Sequence, residues 1–232
     1  MFSIIIPVYN EQGNIIPLFK KLQKTFPAPH EIIVINDGST DKTAEDLKKI
    51  KCRTINLPVN KGKGNAVRIG IAAATGTHLG LIDGDGQDRP QDLLRLFHVA
   101  QKTHADLVLG SRFLDTNKLA KAAVLPINYI GNTIVTFLFN LLFQTKISDA
   151  CASLRVFRTA QVKKMPIISQ RYEIELEMLI RAIRNRYRIK EIPVARYARR
   201  RGKSNLYEIP FGRIRFGVRA LAIMGKGFLL WR

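Results

Sequence analysis

Acidic residues, cysteines and histidines are scarce in this 232-residue sequence, and each scarcity excludes something. Two cysteines, Cys52 and Cys151, cannot build a disulfide framework and are not spaced as a CxxC metal pair, so a reducing compartment is the simpler reading. Four histidines (His30, His78, His98 and His104) are scattered with no ligand spacing. No internal repeat and no low-complexity linker is present, which sets aside solenoids and disordered chains. The opening "MFSIIIPVYNEQ" lacks a basic n-region, and its apolar run is too short for a signal peptide; it reads as a first strand. The shortage of acid leaves a net charge of +20. Residues 1–110 hold 14 Lys+Arg against 11 Asp+Glu, whereas residues 111–232 hold 24 against 7. Surface solvation alone does not account for so uneven a split. The second half is expected to face something anionic: a phosphorylated ligand, lipid headgroups or nucleic acid.

With 46% apolar residues the chain can bury one substantial core. Its first half alternates strand-like and helix-like segments. "FSIIIPVY", "EIIVIND", "RTINLP", "HLGLID" and "ADLVLGSR" read as strands. Between them, "NIIPLFKKLQKTF", "DKTAEDLKKI", "KGNAVRIGIAAATG" and "PQDLLRLFHVAQKT" read as helices. Such alternation predicts an α/β fold with a parallel sheet covered on both faces. Ligands of these sheets sit beyond the carboxyl ends of the strands. "PVYNE", "NDGSTD", "DGDGQD" and "GSR" all fall at that edge.

Beyond residue 116 the pattern changes. Residues 122–145 carry no charge, which raises the question of a membrane span. Yet Asn128, Asn132, Thr136, Asn140 and Gln144 recur every four residues, opposite Ile130, Ile134, Phe137, Leu138, Leu141 and Leu142. That stripe predicts an amphipathic helix lying in an interface or packed on the globule. The stretch 206–232 mixes Arg213, Arg215, Arg219 and Lys226 with Phe, Leu, Ile and Trp, and predicts a second interfacial helix whose arginines snorkel to headgroups.

The few acids are concentrated. In "DGDGQDRP", Asp83, Asp85 and Asp88 directly follow an apolar strand. An EF-hand is excluded, because its sixth position is Asp88 rather than Gly and its twelfth is Leu94 rather than Glu. A two-carboxylate loop at a sheet edge suits Mg²⁺ or a similar ion that also holds phosphates. Asp37 in "NDGSTD" is placed to accept hydrogen bonds from a base or ribose, while Ser39 or Thr40 can cap the following helix. "NKGKGNAVRIG" contains GxGxx, but Val67 stands where a dinucleotide fold needs its third glycine. Lys61, Lys63 and Arg68 near that helix start suit phosphate. Glu173, Glu175 and Glu177 invite a catalytic reading, Glu175 above all, against pairing with Arg181 or Arg184 on the same helix. Cys151 has no evident His partner for nucleophilic chemistry.

"IIIPVYNEQGNI", "INDGSTDKT", "DGDGQDRP", "GSRF", "SDACASLRVFR", "RYEIELEMLIRA" and "EIPVARYARRRGKSN" occur in this order. The series, over about residues 3–205, resembles family-2 glycosyltransferases, in particular the branch of dolichyl-phosphate mannose synthase and bacterial polyprenyl-phosphate glycosyltransferases. The resemblance implies a GT-A fold (Rossmann-like, a mostly parallel sheet with helices on both faces) in a catalytic domain of residues 1–205, a nucleotide-sugar donor (UDP- or GDP-hexose) and a divalent metal, Mg²⁺ or Mn²⁺. It implies that Pro7, Tyr9, Glu11 and Asp37 line the nucleotide pocket, with Lys63 beside them. Asp83 and Asp85 would be the DxD pair, joined at the metal by Gln87. Arg112 would meet the acceptor phosphate, and Asp149 would be a base or a positioning group. Arg199, Gly202 and Ser204 would lie over the donor diphosphate. The chain departs from the family pattern at Asn36, at Asn205 and at Ser153-Leu154, and the Arg and Ser that some members use for lipid phosphate are missing around residues 126–132.

The expected reaction is inverting transfer of a hexose to a polyprenyl phosphate by a peripheral enzyme on the cytoplasmic face of an anionic membrane. A saccharide acceptor is the alternative. A basic nucleic-acid-binding module is the non-enzymatic one, against which the acidic loops argue, and no nucleic acid is expected as a partner.

Overall fold

Short runs of Ile, Val, Leu and Phe become the sheet, and the amphipathic segments between them become its two covers. The computed structural model describes residues 1–114, 126–199, 201–202 and 211–231. The strands are β1 (Phe2–Val8), β2 (His30–Asn36), β3 (Arg53–Asn56), β4 (His78–Leu81), β5 (Leu107–Ser111), β6 (Arg155–Arg158) and β7 (Ile189–Pro193). The helices are α1 (Ile15–Thr25), α2 (Thr43–Lys48), α3 (Lys63–Ala73), α4 (Pro90–Thr103), α5 (Pro126–Phe143), α6 (Thr159–Lys163), α7 (Ile174–Arg184) and α8 (Gly212–Leu229).

The sheet order is β3-β2-β1-β4-β6-β5-β7. β1 pairs in parallel with both β2 and β4, and β5 with β7. β6 is antiparallel to β4 and to β5, so it alone runs against the rest. The mostly parallel sheet expected of a GT-A fold is thus observed, with β6 as the antiparallel strand of the described sheet. The β-α alternation gives the direction of consecutive strands but not which later strand wedges between two of them. Alternate residues of β1 serve opposite cores. Ile5 packs with Ile33, Ile35, Val67 and the residues of α5, α7 and α8. Ile4 and Ile6 pack with α1 and α4 through Leu18, Phe19, Leu93 and Leu96. Each such fully buried Ile or Leu contributes roughly 1.5–3 kcal/mol of hydrophobic stabilisation.

α5 is amphipathic in an unusual sense. Its polar stripe faces the globule: Thr136 Oγ1 accepts from the Ala150 N–H, and Asn140 both donates to the Ile147 carbonyl and accepts from the Ile147 N–H. Ile130, Ile134, Phe137 and Leu141 face outward, Leu141 being 67% exposed. Leu138 and Leu142 of the predicted apolar face are instead half-buried against the core. Residues 122–125, part of the expected helix, lie outside the described residues. Among the described residues no helix is long and apolar enough to cross a membrane.

α8 buries Ala220, Ile223 and Met224 in the core and exposes Ile214, Val218, Leu221 and Leu229. The segment expected as a membrane-contacting tail thus contributes a helix to the core, and it adds a second outward apolar strip.

Candidate active site

The strand ends β1, β2, β4 and β5 bring four polar loops to one edge, as the alternation predicted. They line a cleft of about 1240 Å³ that also receives residues from α3, α5, α7, α8 and the loop after β7. Pro7 and Tyr9 form part of its wall. Asp83 and Asp85 follow β4 and line the same cleft, with Gln87 beside them.

Each of these three side chains has a cation against it. Lys63, the first residue of α3, sits 2.6 Å from Asp83 and 2.7 Å from Glu175 at the start of α7. Burial works against the Lys63 ammonium, but Asp83 and then Glu175 outweigh it and raise its pKa. Burial likewise opposes ionisation of Asp83, and Lys63 reverses the sign, holding its pKa below the usual carboxylate value. Asp85 lies 3.6 Å from Arg199 and 3.9 Å from Arg196. The Gln87 amide oxygen accepts from Arg196 at 3.0 Å, while its amide donates to the Tyr197 carbonyl. Lys63, expected to meet phosphate, is therefore clamped between two carboxylates, and Glu175 pairs with Lys63 rather than with Arg181 or Arg184. Arg181 pairs with Glu177 instead, at 2.7 Å.

The first turn after β1 carries Glu11, which accepts from Arg199 at 2.5 Å and from the Asn14 amide at 2.8 Å. Burial pushes the Glu11 carboxyl up to about 7, against the opposing pull of Asn14 and Arg199. The "NDGSTD" loop ties this turn down. Ser39 Oγ accepts from the Asn10 N–H, and the Thr40 N–H donates to Asn10 Oδ1. Ser39 and Thr40 thus hold a neighbouring loop, and the side chain that meets the start of α2 is Asp41, whose Oδ1 accepts from the Thr43 N–H at 2.9 Å.

Asp37 is the clearest departure from expectation. Its two oxygens accept from the backbone N–H groups of Lys61 and Gly62, at 3.0 and 2.7 Å, and the residue is buried. It lines the cleft, but its carboxylate is engaged in shaping the entry to α3. The glycines of "KGKG" have a packing cause: a Cβ on Gly62 or Gly64 would collide with the backbone of Gln170 or Ser169, and Gly62 has φ +97° besides. Arg68 is spent on Asn65 and the Ile167 carbonyl, not on a cleft phosphate.

At the β5 end, Arg112 and the fully buried Asp149 form a bidentate pair, Nε–Oδ2 2.7 Å and Nη2–Oδ1 2.8 Å. The Arg112 backbone N–H also donates to Asp149 Oδ2. Burial disfavours the Arg112 cation, but Asp149 more than compensates and raises its pKa. With both oxygens held by Arg112, Asp149 has the geometry of a positioning group rather than of a base open to the cleft. Glu191 of β7 steadies the arrangement by accepting from the N–H and hydroxyl of Ser148. Burial, aided by Asp149, pushes the Cys151 thiol up to about 12.

Four contributors were not singled out from sequence. Arg196 is hidden in a charge run. Ser148 and Glu191 open two of the quoted motifs, but nothing local in either shows that they pair. Arg155 did leave a signal, a charge in the middle of a strand, and it proves fully buried, donating to the Glu175 and Ala152 carbonyls and so fixing two cleft walls at once. Ser204 lies outside the described residues.

The donor set fits a hard divalent ion. Asp83, Asp85 and Gln87 supply hard oxygen donors to one cleft, and among the described residues no cluster of three or more His, Cys, Asp or Glu forms a self-sufficient cage. An ion held there would complete its coordination with phosphate and water.

Residues 3–165 match the family model "Glycosyl transferase family 2". The dolichyl-phosphate beta-glucosyltransferase of Saccharomyces cerevisiae is 29% identical over 83% of this chain and 66% of its own length. The dodecaprenyl-phosphate galacturonate synthase of Rhizobium johnstonii is 25% identical over 87% of this chain and 60% of its own. The chain thus spans somewhat less than two thirds of each of these relatives. In fold, it superposes on glucosyl-3-phosphoglycerate synthase from Mycobacterium tuberculosis, a complex with Mn²⁺, UDP and glucosyl-3-phosphoglycerate, with TM-score 0.74 and 19% identity over 97% of this chain and 80% of that one. The mixed sheet, its acidic edge and the matched span together place the chain in glycosyl transferase family 2.

Proposed function

We propose that this protein transfers a hexose from a UDP- or GDP-sugar to a polyprenyl phosphate, with inversion, at the cytoplasmic surface of a membrane. One observation carries the reading. The cleft that holds Asp83 and Asp85 continues to Ile127, Ile130 and Ile134 of α5 and to Ile214 and Phe216 of α8, whose outer faces are apolar. A charged reaction centre that opens onto exposed aliphatic helices suits an acceptor with a phosphate head and a hydrocarbon tail. Two relatives named for polyprenyl-type lipid phosphates support the same acceptor class.

Asp83, Asp85 and Gln87 would hold Mg²⁺ or Mn²⁺, which supplies charge neutralisation to the departing diphosphate. Pro7, Tyr9 and Glu11 border the nucleotide, and Arg199 lies beside Asp85, where the diphosphate would be. Arg112 borders the acceptor side of the cleft, held there by Asp149. That pairing favours phosphate over a saccharide: an alcohol needs a base to remove its proton, whereas a phosphate monoester, with a second pKa of about 6, is already an anion at neutral pH. The catalytic unit is taken as residues 1–205, with residues 206–232 adding membrane contact.

The test is a transfer assay with UDP- and GDP-hexoses, Mn²⁺ or Mg²⁺, and three acceptors: a short polyprenyl phosphate, the corresponding prenol, and an oligosaccharide. Transfer to the lipid phosphate alone is expected. Transfer to the oligosaccharide without lipid phosphate would overturn the reading.

A further inference from the structure

We propose that Arg196 is an internal counter-ion of the acidic loop: it competes with the divalent ion for Asp85 and Gln87, and its side chain turns to the donor diphosphate when the ion binds. The inference rests on the donor site proposed above.

Arg196 stands apart from the other cleft cations. Lys63 is locked between Asp83 and Glu175, and Arg112 is bidentate on Asp149. Arg199 has Glu11 at 2.5 Å and a further bond from Nε to the Arg201 carbonyl. Arg196 bonds only to neutral groups, Gln87 Oε1 at 3.0 Å and Ser153 Oγ at 3.5 Å, and Asp85 stands at the looser distance of 3.9 Å. Of these four it is the one with no carboxylate closer than 3.9 Å, and it is held by two of the three candidate metal ligands.

Its backbone is anchored independently of its side chain. The Tyr197 N–H donates to the Gln87 carbonyl at 2.9 Å, Gln87 returns a bond to the Tyr197 carbonyl, and Arg196 forms a β-bridge with Asp88. The guanidinium can therefore swing on its stem while the loop stays on the acidic edge. A divalent ion on Asp85 and Gln87 would sit within a few ångströms of that guanidinium, and like charges at that range in a half-buried site repel strongly. The same ion brings a diphosphate, whose oxygens suit a planar guanidinium fork. The arginine is thus repelled from one partner as a better one arrives.

The two halves of the idea predict effects of opposite sign. Mn²⁺ alone is titrated by electron paramagnetic resonance into wild type, Arg196→Gln and Arg196→Lys. UDP and GDP are then titrated calorimetrically at saturating Mn²⁺. Arg196→Gln is expected to bind Mn²⁺ about tenfold tighter, since one competing charge is gone, and to bind nucleotide in the presence of the metal several-fold more weakly. Arg196→Lys keeps the charge and should stay near wild type in both. If Arg196 only braced the loop, Arg196→Gln would weaken both titrations, and that result, or unchanged Mn²⁺ affinity, overturns the inference. Wild type that binds Mn²⁺ with nucleotide while Arg196→Gln gains no Mn²⁺ affinity sinks this inference alone. Binding of neither Mn²⁺ nor either nucleotide by any variant sinks the donor-site reading with it.

Discussion

Asp85 and Asp149 are both buried carboxylates facing arginine, yet their substitution should have different consequences. Asp149 is fully buried and takes both arms of Arg112, so Asp149→Asn leaves a buried guanidinium without its counter-charge. A loss of about 3–5 kcal/mol of stability is expected, read from denaturant unfolding. Asp85 sees its arginines at 3.6 and 3.9 Å on the wall of an open cleft. Asp85→Asn should therefore leave the melting temperature almost unchanged while weakening Mn²⁺-dependent UDP or GDP binding by at least about tenfold. Equal stability losses in both variants would contradict this division. Glu11 adds a pH dependence. Its folded pKa, raised to about 7, exceeds the ordinary carboxyl value of 4.5, so the folded state holds a proton that the unfolded chain has released. That contribution is complete below about pH 4.5 and is lost as pH rises through 7. Relative to wild type, Glu11→Gln should gain stability between pH 5 and 8, by up to about 3 kcal/mol. A difference that stays flat with pH would show Glu11 ionised throughout.

Among the elements, α5 inverts the usual rule by turning its polar stripe to the protein and its aliphatic stripe outward. Asn140 and Thr136 bond the backbone of the 147–150 segment, which carries Asp149, so the polar stripe holds a cleft wall in place. Phe137 and Leu141 of the apolar stripe are exposed and pack little within the fold, which makes a clean prediction possible. Phe137→Ser and Leu141→Ser should leave the melting temperature unchanged or higher, and each should reduce partition onto phospholipid vesicles by about tenfold, the effect of withdrawing part of a large apolar side chain from the interface. Vesicle co-sedimentation measures it; unchanged partition would move the membrane contact elsewhere. The start of α3 is governed by packing instead. Gly64→Ala forces a Cβ into the Ser169 carbonyl and should displace the segment that leads to Tyr172 and Glu175, lowering stability by about 1–3 kcal/mol.

At the scale of the molecule, the +17 of the second half is distributed between two jobs. Arg112, Arg155 and Arg181 are buried and answered by carboxylates or carbonyls within the protein. Arg215, Arg219 and Lys226 on α8 are exposed beside the outward apolar strips. Only charges of the second kind attract a distant anionic surface. Binding to vesicles containing anionic lipid should exceed binding to neutral vesicles and fall steeply between about 50 and 500 mM salt, as the Debye length shrinks from about 14 to about 4 Å. Salt-independent binding would assign the contact to the apolar strips alone.

Much of this was written in local sequence. Hydrophobic periodicity located the strands and helices of the first half, because a strand buried on both faces and an amphipathic helix each impose a short-range pattern on composition. The carboxyl-edge position of "DGDGQDRP" and "NDGSTD" followed from that alternation, and the four-residue spacing of polar residues marked 122–145 as amphipathic. What depends on distant partners was decided only by the tertiary structure. The wedging of β6 between β4 and β5, the inward turn of the polar stripe of α5, and the packing of α8 into the core each require knowing which surface lies opposite. The same holds within the cleft. The sequence marked Asp37, Lys63 and Asp149 as available polar groups, whereas the fold supplied the Lys61–Gly62 backbone, Asp83 with Glu175, and Arg112 as their partners. A carboxylate's residue type and its place at a strand end are local facts, but its charge state and its freedom to act are set by whichever cation or N–H the rest of the chain folds against it.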